Sequence, residues 1–227
     1  MFYRFSAALI GMNLLNVQKQ IEILNDKVEF YHADIIDWHF AKNMCFSPQF
    51  IEQISTITKK PIDAHLMVEG IDMDLVKALI DSHADIISFH PDTIERQAFK
   101  YIDYIKSRGC KVGAVINPAT SIDAVKYYIH YLDKITFMAI NPGFVGQTLI
   151  VEVLDKIGQA NKLKEEKGYS YITEIDGAVN QKNFKMMYET GVDVMVVGAT
   201  ALFSQDKDLS IAWDKMIKMF NESIDEV

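Results

Sequence analysis

The stretch YITEIDGAVNQKNFKMMYETGVDVMVVG, residues 171–198, decides the fold. Its β-rich runs Tyr171–Ile175 and Val194–Gly198 predict two strands, and Asn180–Thr190 between them has apolar residues at helical spacing. Gly191 directly follows this segment, as is typical of a helix that ends and feeds the next strand. The stretch therefore predicts a strand–helix unit followed by the strand of the next unit.

The same alternation runs along the whole chain. Helical patterns at Thr93–Arg108 and Val151–Lys167 also end on glycines, Gly109 and Gly168. Because the turn after the first strand, Ile10–Asn13, is not glycine-rich, the pattern favours a closed (β/α)₈ TIM barrel over a doubly wound open sheet. Eight strands are predicted: Tyr3–Leu9, Phe30–Ile36, Ile62–Met67, Ile86–His90, Lys111–Ile116, Lys134–Ile140, Tyr171–Ile175 and Val194–Gly198.

Composition limits the class of protein further. The 227 residues are 49% hydrophobic and 24% charged, with a net charge of -8 and two cysteines, Cys45 and Cys110. The net negative charge argues against a nucleic-acid partner, because a protein that binds nucleic acid requires a basic face. The sequence shows no disulfide framework, signal peptide or membrane-length apolar run. We therefore expect one domain, residues 1–227, in the cytoplasm and without a membrane partner.

Polar side chains lie at the carboxyl ends of three predicted strands, where barrel enzymes have their active sites. His32 and Asp34 are in the second strand, His65 is in the third, and Asp176 follows the seventh. The two-residue spacing of His32 and Asp34 puts both on one face of their strand. Two imidazole nitrogens and two carboxylate oxygens suit one divalent ion, namely Zn²⁺, Mn²⁺, Co²⁺ or Fe²⁺.

A structural interpretation of each of these residues remains open. A histidine at a strand end is often a hydrogen-bonding group of the fold, and an acid there can cap the next helix. The same structural role is assigned to the other histidines, His39, His83, His90 and His130. It is the joint placement of four candidate ligands at one end of one barrel that favours the metal site.

Loops rich in small residues follow the last three predicted strands. The sixth strand runs into Asn141–Gln147, the seventh into Asp176–Ala178, and the eighth into Gly198–Thr200. Many barrels bind phosphate with the loops after their last strands, through backbone N–H groups that small residues leave accessible. The alternative is that these glycines only form turns.

Five segments together resemble the ribulose-phosphate 3-epimerase family, in order and at the family's spacing, from Ser6 to about Phe203. Two further segments, FHPDTIERQAF and VKYYIHYLDKITFM, most resemble the D-allulose-6-phosphate 3-epimerases within it. The fold implied is the ribulose-phosphate-binding type of TIM barrel. The five segments are HADIIDWHFAKN, IDAHLMVEG, MAINPGFVGQTLI, EIDGAVN and VVGATALF.

The resemblance implies a metal-dependent isomerase that inverts C3 of a phosphorylated ketose through a cis-enediolate, here D-allulose 6-phosphate and D-fructose 6-phosphate. It implies Asp34 as proton acceptor, Asp176 as proton donor, and a homo-oligomer, either a dimer or a hexamer. The metal ligands it implies are His32, Asp34, His65 and Asp176. The substrate contacts it implies are His65, Gly143, Phe144, Val145, Gly146, Asp176, Gly177, Ala178, Gly198, Ala199 and Thr200.

Three departures from the family pattern concern the substrate rather than the metal. Ala8 replaces a serine that contacts substrate in the family, Trp38 replaces a glycine, and Ala199 stands where the five-carbon enzymes usually have serine. The alternatives are a ribulose-5-phosphate 3-epimerase and a non-catalytic barrel that binds sugar phosphates. A metal-independent decarboxylase is disfavoured, because the sequence lacks its Asp-x-Lys-x-x-Asp motif.

Overall fold

The computed structural model describes residues 4–225, and within them eight parallel strands close into a barrel. The strands are β1 Arg4–Ala8, β2 Tyr31–Asp37, β3 Met44–Cys45, β4 Ile62–Met67, β5 Ile86–Phe89, β6 Lys111–Ile116, β7 Lys134–Met138, β8 Ile172–Asp176 and β9 Val194–Val197. They pair in the order β1-β9-β8-β7-β6-β5-β4-β2, and β1 also pairs with β2 to complete the ring. The short β3 lies antiparallel against the end of β2.

Helices alternate with the strands and pack their apolar stripes against them. In α6 the buried residues Val153, Ile157 and Ala160 recur at four- and three-residue spacing, which puts them on one face. The α-helices are α1 Val17–Leu24, α2 Pro48–Ser55, α3 Met73–Asp81, α4 Pro91–Ile94, α5 Ala98–Ser107, α6 Glu152–Lys167, α7 Phe184–Glu189 and α8 Leu209–Asp225. Short 3₁₀ turns occupy Leu9–Gly11, Leu14–Asn16, Ile122–Val125 and Ile129–Tyr131, and Ala199–Phe203 forms one π-helical turn.

Local sequence signals explain where several helices begin and end. Ser47 and Asp72 cap α2 and α3, because each side chain accepts a hydrogen bond from the backbone N–H three residues later. Gly168 ends α6 in the left-handed conformation, at φ 67° and ψ 32°. None of the helices in residues 4–225 is long and apolar enough to cross a membrane.

The predicted (β/α)₈ barrel is confirmed, with two helix predictions corrected. The helix predicted at Thr93–Arg108 is two helices, α4 and α5, because Gln97 leaves helical geometry at φ -134°. The helix predicted at Asn180–Thr190 is shorter, because the Asn180 side chain bonds to Ala178 and Lys182 in a turn before α7. The start of the first predicted strand, Tyr3, lies outside the described residues.

Candidate active site

Four predicted ligands come together at the carboxyl end of the barrel. The register of β2 and β4 sets Asp34 opposite His65, while Asp176 comes from β8. Nε2 of His32 lies 3.1 Å from Nδ1 of His65 and 3.7 Å from Oδ2 of Asp176. Oδ1 of Asp34 lies 3.2 Å from Nδ1 of His65 and 3.6 Å from Nε2 of His32. These four residues are called the metal cluster below.

The spacing and chemistry of the metal cluster fit one divalent ion. Each residue offers one ligand atom, and the four atoms lie within 4.8 Å of one another. Ligands about 2.1 Å from a tetrahedral zinc ion stand about 3.4 Å apart, close to the separations given above. Two imidazole nitrogens and two carboxylate oxygens also suit manganese, cobalt or iron. The arrangement could therefore hold a metal ion without large movement of the four side chains.

The two carboxylates of the metal cluster have opposite electrostatic environments. Burial alone would raise the pKa of Asp34, but hydrogen bonds with His32 and His65 hold that pKa well below its usual value. Burial raises the pKa of Asp176, and the nearby Asp34 carboxylate raises it further, against the opposing effect of His32. The surrounding protein therefore lowers the pKa of Asp34 and raises that of Asp176, which is the direction of asymmetry that a base and an acid require.

An open cavity lies above the metal cluster. Asp34 and Asp176 reach its floor, whereas His32 and His65 are fully buried beneath it. Met67 and Met138 form an apolar part of the wall. Of the predicted substrate contacts other than His65, all line this cavity: Gly143, Phe144, Val145, Gly146, Asp176, Gly177, Ala178, Gly198, Ala199 and Thr200.

The backbone of these loops needs small residues at defined places. Gly177 has φ 97°, and a Cβ there would lie 2.4 Å from Cγ1 of Ile140. Gly143 has φ 105°, and a Cβ there would lie 2.5 Å from the Cβ of Ala41. Ala178 is also left-handed, at φ 53°. The close packing keeps backbone groups, rather than side chains, along this side of the cavity.

The groups that the predicted substrate-contact residues offer to a ligand differ from residue to residue. The Thr200 hydroxyl donates a hydrogen bond to the Val179 carbonyl, so its backbone N–H is the group left for a ligand. Phe144 and Val145 are largely exposed at the tip of the loop after β7. This loop is attached at its base, where the Asn43 side chain donates to the Gly143 carbonyl.

The departures from the family pattern lie in different environments. Ala8 and Ala199 line the cavity, so both can affect a bound substrate. Trp38 is not among the residues that line it; it is half exposed and has a left-handed φ of 70°. A tryptophan at this position therefore strains the backbone, which a glycine would not, and it does not change the wall of the cavity.

A second charged group, which was not predicted from the sequence, lies directly beneath the metal cluster. Asp63, Lys134 and Glu174 are all buried inside the barrel, and Nζ of Lys134 lies 2.7 Å from Oδ2 of Asp63 and 2.5 Å from Oε1 of Glu174. These three residues are called the ionic cluster. The two-residue spacing of Asp63 from His65 and of Glu174 from Asp176 carries a signal for it, since both pairs share a strand face.

His90 is a further residue whose environment the sequence did not reveal. The prediction of a structural histidine fits its place, since its Nε2 lies 2.9 Å from Nε2 of His65. Burial and the nearby His65 lower the pKa of His90 well below its usual value, which favours a neutral ring. The contact therefore supports the side of His65 that faces away from the metal cluster.

Solved structures with the same fold extend across almost all of the chain. A 3-keto-L-gulonate-6-phosphate decarboxylase from Vibrio cholerae has a TM-score of 0.69 at 11% identity, covering 99% of this chain and 98% of that chain. A 3-hexulose-6-phosphate synthase from Salmonella typhimurium has a TM-score of 0.66 at 14% identity, covering 97% and 99%. At these identities the likeness shows the TIM-barrel fold and not the reaction.

Sequence relatives are more informative. Residues 4–203 match the model of the ribulose-phosphate 3 epimerase family. A ribulose-phosphate 3-epimerase from Helicobacter pylori is 31% identical over 92% of this chain and 94% of its own length. The enzymes of that name from Bacillus subtilis and Escherichia coli are 33% and 35% identical, covering 90% and 77% of this chain and 91% and 76% of their own lengths. The chain therefore belongs to the ribulose-phosphate 3-epimerase family, whose members are isomerases that act on carbohydrate phosphates.

Proposed function

We propose that this protein interconverts D-ribulose 5-phosphate and D-xylulose 5-phosphate by inverting C3. The observation that carries the proposal is the metal cluster at the floor of the cavity, with one carboxylate from β2 and one from β8. The names of the relatives support the five-carbon substrate, which the sequence analysis held as its alternative to D-allulose 6-phosphate.

In the proposed reaction, the two aspartates act on opposite faces of C3. Asp34 accepts the C3 proton, and Asp176 returns a proton with inverted geometry. Around the ring, β9 and β1 separate β8 from β2, so the two carboxylates approach from different walls of the barrel. A divalent ion held by His32, Asp34, His65 and Asp176 would stabilise the negative charge that develops on the substrate oxygens.

The phosphate end of the substrate is assigned to the small-residue side of the cavity. The loops at Gly143–Gly146, Gly177–Ala178 and Gly198–Thr200 border it and present backbone groups. Backbone N–H groups can bind a phosphate without a cationic side chain, so this mode of binding is compatible with the net negative charge of the protein. Anchoring the phosphate would also position C3 over the two aspartates.

A six-carbon substrate is the second candidate, because two sequence segments favour it. FHPDTIERQAF and VKYYIHYLDKITFM most resemble the D-allulose-6-phosphate enzymes, and they cover residues 89–99, with α4, and residues 125–138, with β7.

A comparison of kcat/KM for D-ribulose 5-phosphate and D-allulose 6-phosphate tests the proposal. The protein would be loaded in turn with Zn²⁺, Mn²⁺, Co²⁺ and Fe²⁺, with Asp34→Asn as the inactive control. We expect faster turnover of the five-carbon substrate. A preference for the six-carbon substrate would move the assignment to D-allulose 6-phosphate. Metal binding without turnover of either sugar would leave a non-catalytic sugar-phosphate-binding barrel.

Three related expectations stay predictions. They are the identity of the metal, a homo-oligomer in the form of a dimer or hexamer, and a single domain that covers residues 1–227. Analytical ultracentrifugation and metal analysis of the purified protein would test the first two directly, and limited proteolysis would test the third.

A further inference from the structure

Lys134 is a fully charged group buried inside the barrel, with 1% of its surface exposed. Its Nζ donates to Oδ2 of Asp63, Oε1 of Glu174 and Oγ1 of Thr136, at 2.7, 2.5 and 2.7 Å. Burying an ammonium group is costly unless it is paired and hydrogen-bonded, and here all three donor positions have partners. The contacts hold the lysine at one place in the barrel interior.

Asp63 connects this lysine to the metal cluster. Its Oδ2 lies 2.9 Å from Nδ1 of His32, and its Oδ1 accepts a hydrogen bond of 2.6 Å from the Ser88 hydroxyl. The contact with His32 is close but lacks the alignment of a good hydrogen bond, so it acts mainly as an electrostatic attraction. The Asp63 carboxylate is thus fixed on one side by Ser88 and Lys134 and faces the imidazole on the other.

The position of Lys134 also determines whether Asp63 and Glu174 can bind a metal ion. His32, Asp63 and Glu174 have ligand atoms close enough to form a second possible metal site. The Lys134 ammonium contacts the very oxygens, Oδ2 of Asp63 and Oε1 of Glu174, that such an ion would need. The chain's own cation therefore occupies this position, which leaves Asp63 free to serve His32 rather than a metal.

We infer that Lys134 is a positioning residue of the metal centre, an inference that rests on the proposed function. It holds Asp63 against Nδ1 of His32, where the negative charge of the carboxylate favours a proton on that nitrogen. Nε2 of His32 is then the nitrogen presented to Asp34, His65 and Asp176. Partners behind a ligating histidine commonly fix its tautomer and ring orientation in this way.

The test uses a double variant that preserves the charge of the ionic cluster. Lys134→Met alone would leave two buried carboxylates without a cation and would put folding at risk. Lys134→Met combined with Glu174→Gln leaves Asp63 as the one charge, so the net charge stays at one negative. The Glu174→Gln single variant is the reference, and Lys156→Met is the matched lysine control. Lys156 donates to three backbone carbonyls, those of Asn117, Pro118 and Thr120, and none of these carbonyl groups belongs to either cluster.

Each metal-free protein would be titrated with Co²⁺, whose visible absorption reports both affinity and ligand geometry. Circular dichroism would establish that each variant is folded. We expect the double variant to bind Co²⁺ about 10- to 100-fold more weakly than Glu174→Gln, with an altered spectrum. Lys156→Met should lose thermal stability but keep the wild-type spectrum and affinity.

Two outcomes would overturn the inference in distinguishable ways. If the double variant matched Glu174→Gln in affinity and spectrum, Lys134 would be a structural counter-ion only, and the proposed epimerase site would stand. If the wild-type protein bound Co²⁺ no better than Asp34→Asn, the proposed metal centre itself would fall, and the role of Lys134 with it.

Discussion

The metal cluster and the ionic cluster lie one above the other and are joined by His32, whose Nε2 faces the other metal-cluster residues and whose Nδ1 contacts Asp63 of the ionic cluster. Both contain two carboxylates. In the ionic cluster a lysine of the chain pairs with both acids, whereas the ion pairs of Asp34 and Asp176 within residues 4–225 involve histidines only. The acids of the ionic cluster are therefore matched by a permanent cation and lie beneath His32, while the acids of the metal cluster face a cavity and suit an exchangeable ion.

The sharpest way to break this comparison is the same substitution in each cluster. Asp34→Asn removes the proposed base but keeps an oxygen that can still accept from His65, so kcat should fall by about 10³-fold or more with the smaller loss of stability. Asp63→Asn removes a buried partner of Lys134, so the free energy of unfolding should fall by about 3 kcal/mol. Urea denaturation and steady-state kinetics on both variants measure the two effects.

The pair of variants also provides its own control. Both replace aspartate by asparagine on neighbouring strands, so the chemical change is the same and only the position differs. A large loss of stability in Asp34→Asn, or none in Asp63→Asn, would show that the stability of the barrel does not depend more on the ionic cluster than on the metal cluster.

The next largest effect concerns the second face of the substrate. In Asp176→Asn the proposed base remains but the acid and one metal ligand are lost, so at saturating metal kcat for epimerisation should fall by about 10²- to 10³-fold. Asp34 would still remove and return the C3 proton on its own face. Deuterium from solvent should therefore enter recovered substrate faster than product forms, as mass spectrometry can follow. Equal suppression of exchange and epimerisation would contradict the division of roles between the two aspartates.

The metal cluster was predictable from sequence for a simple reason. Strand periodicity fixes which residues share a face, and the barrel fold brings all strand ends to one mouth, so His32, Asp34, His65 and Asp176 had to converge. The same periodicity places Asp63 and Glu174 one layer lower, but it does not say what they meet.

The partners of Asp63 and Glu174 come from strands on other sides of the barrel, and local sequence patterns carry no information on contacts between distant strands. Lys134 is the first residue of β7, where a lysine in sequence suggests an exposed strand end rather than a buried cation. The contact of His90 with His65 was also not predictable, since it depends on the register in which β4 and β5 pair. The bend that separates α4 from α5 was also missed, because Gln97 carries no proline or glycine signal.

A smaller effect should follow from crowding the ionic cluster without touching a charge. In Gly113→Ala the new Cβ would lie 2.1 Å from Oγ of Ser88, which donates to Asp63. Ser88 must move, so we expect a loss of about 1–3 kcal/mol in the free energy of unfolding. Gly158→Ala in α6 is the matched control, because its Cβ meets nothing within 4 Å and alanine favours a helix. An equally stable Gly113→Ala would indicate that the lower layer is loosely packed.

The smallest expected effect is at the cavity wall above the metal cluster, where Ala8 lies opposite His32 in the pairing of β1 and β2. Ala8→Ser places a hydroxyl in the cavity, where a hydrogen bond to substrate is worth about 1 kcal/mol and should lower KM about fivefold with kcat nearly unchanged. Trp38→Gly is the control, since it relieves a left-handed φ of 70° away from the cavity and should raise thermal stability without changing KM. A change of KM in Trp38→Gly and none in Ala8→Ser would reverse the assignment of which departure bears on substrate binding.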